Sequence, residues 1–425
     1  MEFSPAQRRR AALAALLGNA LEWYDFAAYG YVASALGHVF FPADAVALQR
    51  LASFGVFAVG YLMRPVGSLV LGPLGDLLGR RLMLSLSIVL MGASSLAIGL
   101  LPGHAQIGMT AGVLLILLRM LQGFSVGGEF TGSITYATEA ARRGHAGLLS
   151  SLAVAGGLAG FGLGSLTAAL IGWGLGQEAM ANWGWRLPFL LGAVVAALGL
   201  WMRQAIPETL PHAVTDTAPR GVRALGGAIL QRLHQVAEQW RLVLRVIGLV
   251  SFANVIFYLA FVFLVDATGQ RLGNSATANG VATLLQGLGL PLVVLGGHLA
   301  DRHGLVAVNR WGNLALILVM PAALLIGQQR SLAGLITALA LLLPPMMITM
   351  GAQGVLGVVL IPPRHRCAVF SIAYSLAMAL FAGSAPLLAT WLLERQHWPW
   401  ATPLYALVHG LLALWAIRSS RALLR

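Results

Sequence analysis

The sequence of 425 residues contains no lysine, a single cysteine and few charged residues of either sign. Charged residues make up 10% of the chain and hydrophobic residues 58%, and the mean hydropathy is +0.80. A typical soluble domain carries roughly 25% charged residues, so this composition excludes an ordinary soluble fold. The chain is predicted to be an integral membrane protein.

Other absences exclude several kinds of chemistry. The lone Cys367 cannot form an intrachain disulfide or a cysteine-based metal site, and the ten histidines show no metal-ligand spacing. No phosphate-binding Walker loop and no nucleophile motif in a suitable context occurs. The sequence therefore predicts no metal, no cofactor, no catalytic residue and no enzyme activity. The net charge of +13 does not indicate nucleic acid, because the arginines lie in short breaks between apolar runs.

Twelve apolar segments are long enough to cross a bilayer, which takes about 20 residues. The first follows three arginines but has no convincing cleavage site, so it is predicted to be a retained span and not a signal peptide. The segments form two groups of six: 11–37, 48–74, 82–101, 107–138, 144–173 and 187–203, then 242–265, 277–299, 305–327, 332–360, 367–392 and 400–417.

A polar segment separates the two groups and is predicted to be a linker. The resulting domains are an N-terminal six-helix bundle over residues 1–203, a cytoplasmic linker over 204–240 and a C-terminal six-helix bundle over 241–425. The later part of the linker has helical spacing and basic residues. It is compatible with a helix on the membrane surface and equally with a solvated loop helix.

The arginines indicate the orientation of the chain. With both termini in the cytoplasm, 20 arginines fall on the inside and 5 in outside loops, while Arg64 and Arg119 lie within spans. Basic residues concentrate on the cytoplasmic side of short loops. Both termini are therefore predicted to be cytoplasmic.

One loop pattern, Gly-x3-Asp-x2-Gly, occurs at the corresponding turn of each half. It reads "GPLGDLLGRR" at 72–81 and "GGHLADRHG" at 296–304. Parallel repeats of this kind are how many transporters build two bundles around a central site. A single copy would be interpreted as an ordinary capped, basic loop. Two copies at equivalent turns favour a gating motif, whose contacts break and reform as the two halves move. Its predicted residues are Gly72, Asp76, Gly79, Arg80, Arg81, Asp301 and Arg302.

Two predicted spans carry polar stripes along one helical face. A charge at the bilayer centre costs roughly 2.5 to 3.5 kcal/mol on insertion scales, so such stripes face a bundle interior or a water-filled cavity. At 100° per residue, the members of each stripe fall within an arc of about 100°. They are Glu22, Asp25, Phe26 and Tyr29 in the first span, and Arg119, Gln122, Glu129, Ser133 and Tyr136 in the fourth.

Three carboxylates in these two stripes and a fourth near the outer end of the seventh predicted span are candidate proton carriers. Apolar surroundings disfavour a charged carboxylate, which can then gain or lose a proton as a cavity opens to either side. The alternative is that some of them are permanent structural partners of Arg64 and Arg119. The candidates are Glu22, Asp25, Glu129 and Asp266.

Arg119 is the leading candidate for binding a substrate, because its fork of donors suits a carboxylate. If it pairs with Glu129 or Glu22, the cavity is near neutral and suits a zwitterion; if it is unpaired, it suits an organic acid. Arg64 is a weaker candidate, because a structural bond to the backbone or to another helix is a strong alternative role for its side chain. Other polar and aromatic residues could line the cavity or merely bond between helices. The further substrate candidates are Gln122, Phe26, Tyr29, Tyr136, Asn254, Tyr258 and Tyr374.

Several stretches resemble a known family. Besides the two loops above, they are "GNALEWYDFAAYGYVASALGHVFFP" (18–42), "YLMRPVGSLVLGPLGD" (61–76), "RMLQGFSVGGEFTG" (119–132) and "WGWRLPF" (183–189). They are similar to the metabolite:proton symporter branch of the major facilitator superfamily, most closely its proline/betaine osmoprotectant symporters. The match is dense over residues 18–208 and thin beyond them.

The resemblance implies an all-α membrane fold of twelve helices in two six-helix bundles, with alternating access. It implies a proton-coupled importer of a small zwitterion or organic acid, acting as a monomer in a bacterial inner membrane. The alternative is a proton-driven exporter of a small amphiphile or a siderophore-like acid. Leu77 stands where the family loop usually has a basic residue, which predicts that the first copy of the gating motif holds the halves together less strongly than the second. The chain ends at Arg425 without the charged extension of osmosensing members, so osmotic regulation of that kind is not expected.

Overall fold

In the computed structural model of the protein, most of the described chain is helical. For some of these residues, including 72–78 and 80–84, only the backbone is described. The described residues are 5–41, 46–78, 80–142, 144–204, 226–227, 230–231, 234, 236–362 and 366–420.

The helices of the first half form six membrane-crossing stretches. The first joins α1 and α2, and the fourth joins α6 and α7. The bounds are α1 Pro5–Tyr31, α2 Ala33–Phe40, α3 Val46–Leu78, α4 Arg80–Leu100, α5 His104–Ile107, α6 Thr110–Ser125, α7 Glu129–Ala140, α8 Ala146–Ala179, a π-helical turn Met180–Gly184, and α9 Arg186–Gln204.

The second half repeats this organisation, with π-helical turns inside its first and fifth spans. The bounds are α10 Trp240–Tyr258, a π-helical turn Leu259–Leu264, α11 Val265–Leu272, α12 Ser275–His303, α13 Leu305–Gly327, α14 Leu332–Val359, α15 Arg366–Ala377, a π-helical turn Met378–Ala382, α16 Ala385–Thr390, a π-helical turn Trp391–Arg395, and α17 Ala401–Ser420.

These stretches follow the twelve predicted spans in order. Within the described chain, nine are long and apolar enough to cross a membrane, and Ser85–Leu100 and Arg186–Ala197 are shorter apolar helices. With α1 they make twelve, so the predicted fold class is confirmed. Helices are the expected solution because lipid offers no partner for an unpaired backbone group. Much of the linker, including residues 205–225, lies outside the described residues.

Glycines bring α3 and α6 into direct backbone contact. A Cβ at Gly123 would lie 1.8 Å from the carbonyl oxygen of Gly60. The second half repeats this contact between α12 and α14, where a Cβ at Gly351 would lie 2.0 Å from the carbonyl oxygen of Val293. Small residues at such contacts permit the close packing that holds membrane helices together. Within the glycine-rich stretch 155–165 of α8, Gly156 and Gly160 lie against the backbone of α1 in the same way.

The fourth span is not one continuous helix, contrary to the assumption behind its predicted polar stripe. α6 ends at Ser125, and α7 begins at Glu129 after a break at 126–128. Gly127 sits against α3 here, and a Cβ on it would lie 2.1 Å from the backbone nitrogen of Ser68. The break therefore interrupts the regular helical spacing on which the predicted stripe from Arg119 to Tyr136 depends.

Candidate functional site

Arg64 of α3 is tied to α1 in the interior of the first half. Its Nη2 lies 2.9 Å from Oε1 of Glu22, and both side chains are buried. The guanidinium carbon also lies 5.0 Å from the Trp23 ring centroid and 5.3 Å from that of Phe26, within range of cation–π attraction. The pair corresponds to the structural alternative considered for Glu22. It neutralises two charges that would otherwise be very costly in the membrane.

Arg119 of α6 is fully buried and lies among aromatic rings. Its guanidinium carbon is 4.3 Å from the Tyr29 ring centroid and 4.9 Å from that of Phe26. Nη1 donates to Oε1 of Gln122 at 2.8 Å, and the Gln122 amide donates to the Ser95 hydroxyl at 2.7 Å. Nε and Nη2 of Arg119 make no hydrogen bond within the described part of the chain. One edge of the guanidinium therefore stays open.

Asp25 lies in the same interior, one helical turn from Glu22. Its side chain is 1% exposed. The carboxylate faces α9, where a Cβ at Gly192 would lie 2.1 Å from Oδ1. Ser95 and Arg119 lie close enough to interact electrostatically with this carboxylate. Neither carboxylate oxygen, however, makes a well-formed hydrogen bond to a described residue. A buried carboxylate in this position is costly when charged.

An aromatic cluster joins the two halves at the centre of the protein. The hydroxyls of Tyr61 and Tyr258 lie 2.5 Å apart, and the Tyr61 ring centroid is 4.8 Å from that of Phe26. Nearby, the Phe130 ring of the first half lies 5.1 Å from the Tyr374 ring of the second. These rings connect the Arg119 region with α10 and α15.

The predicted cavity residues thus divide into two sets. The structure brings Phe26, Tyr29 and Gln122 to Arg119, and it brings Tyr258 and Tyr374 to the contact between the halves. Asn254 instead donates to the carbonyl of Val250 in its own helix at 2.7 Å, as the helix-bonding alternative anticipates. The side chains of Glu129 and Tyr136 lie outside the described residues, so their roles stay predictions.

The end of the bundle where α1 begins and α17 ends, here called the terminal end, has a tie between the halves. Asp301 at the end of α12 accepts hydrogen bonds from the backbone N–H groups of Gly147 at 2.7 Å and Leu148 at 2.8 Å, at the start of α8. A carboxylate at a helix N-terminus is favoured by the helix dipole and by the unpaired amides there. Glu139 and Arg366 form a second, more exposed tie at 3.3 Å.

Only the second copy of the predicted gating motif can be followed in this way. The first copy consists of Gly72, Asp76, Gly79, Arg80 and Arg81. Gly79 and the side chains of the others lie outside the described residues.

The opposite end of the bundle, here called the far end, is tied by an ion pair that the sequence reasoning missed. Nη2 of Arg50 in α3 lies 2.7 Å from Oδ2 of Asp266 in α11. The hydroxyl of Ser34 donates to the other oxygen of Asp266 and accepts from the Gln270 amide. Arg50 is one of the five arginines counted in outside loops, so no buried partner was predicted for it. The signal available was an arginine and an aspartate near the same predicted membrane surface.

The sequence also gave too little weight to Trp23, Phe57 and Tyr61. Aromatic residues are common in membrane spans, so none stood out on its own. Phe57 lies 5.1 Å from Tyr61 and 5.9 Å from Tyr258, measured between ring centroids. The available signals were the positions of Phe57 and Tyr61, two turns and one turn from Arg64 along α3, and the position of Trp23 next to Glu22 in α1.

Two halves joined at both ends around a buried, charged centre define a multi-pass membrane transporter. Comparison with known proteins agrees: the family described as sugar (and other) transporter matches residues 11–221. The chain is 35% identical over 397 residues to the proline/betaine transporter of Salmonella typhimurium, and the alignment covers 92% of this chain and 78% of that protein. It is 33% identical over 416 residues to the glycine betaine/proline/ectoine/pipecolic acid transporter OusA of Dickeya dadantii, and that alignment covers 96% of this chain and 82% of OusA.

The fold has solved counterparts. The xylose transporter XylE from E. coli, in a partially occluded inward-open conformation, matches with a TM-score of 0.74, 18% identity and 96% of each chain covered. At that identity the likeness establishes the fold alone. The chain belongs to the major facilitator superfamily and, within it, to the metabolite:proton symporter family that includes the proline/betaine transporters.

Proposed function

We propose that the protein is a proton-coupled symporter that imports a small zwitterionic metabolite of the betaine or proline type. The names of the relatives support this substrate class. The observation that carries the proposal is the buried centre, where the Arg119 guanidinium lies among aromatic rings with Nε and Nη2 lacking a hydrogen-bond partner among the described residues, and where its charge acts on the buried carboxylate of Asp25.

Arg119 supports binding of the carboxylate of such a substrate. Its open edge offers Nε and Nη2, two parallel donors that match the two oxygens of a carboxylate. The rings of Phe26, Tyr29 and Tyr61 supply electron-rich faces for a quaternary or secondary ammonium group. A zwitterion can thus engage both kinds of group at once, with Gln122 holding the guanidinium in place.

Asp25 is the proposed proton carrier. Glu22 is less suited in this state because it is paired with Arg64, and Asp266 is paired with Arg50; Glu129 remains a candidate. When Asp25 is protonated, Arg119 is available to the substrate carboxylate. When Asp25 is charged, it competes for the same guanidinium, so proton release favours substrate release.

The moving parts are proposed to be the bundles 1–203 and 241–425, joined by the linker 204–240. The terminal end would face the cytoplasm, as the excess of arginines on that side supports. We propose that both termini are cytoplasmic, that the membrane is the bacterial inner membrane, and that the monomer is the functional unit without a nucleic-acid partner.

The test is Asp25→Asn in proteoliposomes with an imposed proton gradient. The variant is expected to lose gradient-driven accumulation of glycine betaine while keeping exchange of internal for external substrate. Glu139→Gln is the matched control, because it removes a carboxylate at the surface, and it is expected to accumulate normally. Full accumulation by the Asp25 variant would exclude Asp25 as carrier. Wild-type accumulation that survives a protonophore would exclude proton coupling.

A small organic acid is a second candidate substrate, favoured by the open edge of Arg119 and by the absence of an ion-pair partner for it among the described residues. Competition in the same vesicles separates the two classes. Glycine betaine and proline would compete with each other under the first proposal, and a monocarboxylate without an ammonium group would compete equally well under the second. Net efflux under an inward proton gradient would instead indicate the exporter.

A further inference from the structure

Ser95 of α4 is a buried serine of the first half that the proposed mechanism does not use. Its side chain is fully buried, and its hydroxyl accepts a hydrogen bond from the Gln122 amide at 2.7 Å. The carbonyl oxygen of the same amide group accepts from Nη1 of Arg119 at 2.8 Å. Ser95 is therefore the third group in a chain of hydrogen bonds that begins at Arg119.

The packing of α1, α4 and α9 places Ser95 beside Asp25. On α4, Ser95 lies between Gly92 and Gly99, where a Cβ would lie 2.7 Å and 2.8 Å, respectively, from a side chain of α9. Asp25 of α1 meets α9 between these two contacts, at Gly192. The Asp25 carboxylate and the Ser95 hydroxyl are thus at the same level of the bundle, close enough to interact.

The hydroxyl of Ser95 has a donor to spare. A serine hydroxyl offers one O–H donor and two acceptor sites. Within the described chain, the Ser95 hydroxyl is bonded as an acceptor of the Gln122 amide, and both oxygens of Asp25 lack a well-formed hydrogen bond. A rotation of the hydroxyl toward Asp25 would satisfy the donor and one carboxylate oxygen together.

We propose that Ser95 is a positioning residue that links the proton carrier Asp25 to Arg119. The proposal rests on the proposed function for the roles of those two residues. When Asp25 is charged, the Ser95 hydroxyl donates to its carboxylate. Every donor of the chain then points toward the charge, from Arg119 through Gln122 and Ser95. Hydrogen bonds in such a chain strengthen one another, and a bond to an ionised group is the strongest of them.

Protonation of Asp25 removes the charge at the end of this chain. The neutral acid is a weaker acceptor than the carboxylate, so Ser95 and then Gln122 are held less strongly. Arg119 is then freer to turn toward a substrate carboxylate. Proton binding therefore favours substrate binding, and by linkage substrate binding favours proton binding.

Few other groups near Asp25 can respond to pH. Among the described residues, Arg119 of α6 and Tyr24 of α1 are the charged and titratable side chains that interact with it. The helices α4 and α9 face it with Ser95 and Gly192. Arginine stays charged and tyrosine stays neutral near neutral pH, so a response between pH 6 and pH 8 is expected to come from Asp25.

The test measures how strongly pH changes substrate affinity in proteoliposomes. The apparent KM for exchange of glycine betaine is compared at pH 6 and pH 8, with equal pH on both sides so that no proton gradient drives transport. The parent is expected to have a KM about tenfold lower at pH 6, a typical size for coupling between two sites. Ser95→Ala should reduce this ratio to about twofold, because it cuts the link and keeps both Asp25 and Arg119.

The neighbouring Ser94 provides the matched control. It is also buried, and its hydroxyl donates to the carbonyl of Leu90 in its own helix at 2.7 Å, so Ser94→Ala should keep the parent ratio. Ser95→Thr retains the hydroxyl and should retain most of the ratio. Ser95→Cys has a thiol of similar size that is only a weak donor, so it should lose the ratio and repeats the test if the alanine variant does not fold. Adding Ser95→Ala to Asp25→Asn should cause no further change.

The outcomes separate this inference from the proposed function. A parent-like ratio in Ser95→Ala or Ser95→Cys would overturn the link through Ser95 and leave the proposed function intact. Equal losses in the Ser94 and Ser95 variants would also overturn it, since they indicate a general effect on α4. A parent KM that does not change with pH would overturn it as well. If Asp25→Asn then also accumulates glycine betaine normally, the proposed function fails together with this inference.

Discussion

Asp301→Asn should release the tie between the halves at the terminal end. Asp301 accepts two backbone N–H bonds from α8, and an asparagine can accept only one of them while turning its own amide donors toward the other N–H group. The variant also removes a negative charge from a helix N-terminus. The shape of the side chain is almost unchanged, so packing between α8 and α12 should survive.

The size of the effect follows from these two losses. A hydrogen bond to a charged group contributes about 1.5 to 3 kcal/mol, and the charge at the helix N-terminus about 0.3 to 1 kcal/mol. Since the site lies near water, a net loss of about 2 kcal/mol is reasonable, which shifts the equilibrium between closed and open states roughly 30-fold. Glu139→Gln cuts a tie at the same end whose carboxylate is 46% exposed, and exposed pairs contribute about 0 to 1 kcal/mol.

The assay is the distance between spin labels at the terminal end, placed at Arg142→Cys and Arg418→Cys in a Cys367→Ser background. Both native side chains are exposed. Asp301→Asn should shift most of the distance distribution to longer values, and Glu139→Gln should leave it nearly as in the parent. A parent-like distance distribution in the Asp301 variant, or equal shifts in the two variants, would contradict the assigned strength of the Asp301 tie.

Two further predictions concern stability. Gly123→Ala should lower the melting temperature of the purified protein or prevent folding, because its Cβ would lie 1.8 Å from the carbonyl oxygen of Gly60. The control is Gly132→Ala, whose Cβ would meet nothing within 4 Å and which should melt near the parent. Equal melting temperatures of the two variants would refute the packing argument. Tyr61→Phe or Tyr258→Phe alone leaves the other buried hydroxyl without its partner and should destabilise the folded protein by about 1 to 3 kcal/mol. The double variant removes both hydroxyls and should recover most of that loss. A double variant that melts as low as the sum of the singles would contradict it.

The sequence was sufficient for the spans because the bilayer imposes a length and a polarity on each of them. It also assigned Phe26 and Tyr29 to the helical face that meets Arg119. Periodicity gives the face of a helix but not the partner on the next one. Hence it could not decide whether Glu22 would pair with Arg119 or with Arg64.

Other features depend on contacts that no local pattern encodes. The break at 126–128 arises where Gly127 meets the backbone of α3, and the glycines in "SVGGEF" are equally compatible with an unbroken helix. The tie between Asp301 and α8 joins residues more than 150 positions apart. The loop pattern predicts that Asp301 is a gating residue, yet only the packing of α12 against α8 specifies which amides it binds.

The two ends of the protein are closed by different chemistry, so they should open in response to different changes. At the terminal end, Asp301 is bound by backbone amides, and these donors do not change with the protonation state of any side chain. At the far end, Arg50 and Asp266 present opposite charges on two side chains, so that tie depends on both groups being charged. Under the proposed mechanism, opening at the terminal end should therefore follow from rearrangement at the centre, where Arg119 and Asp25 are proposed to respond to substrate and proton together.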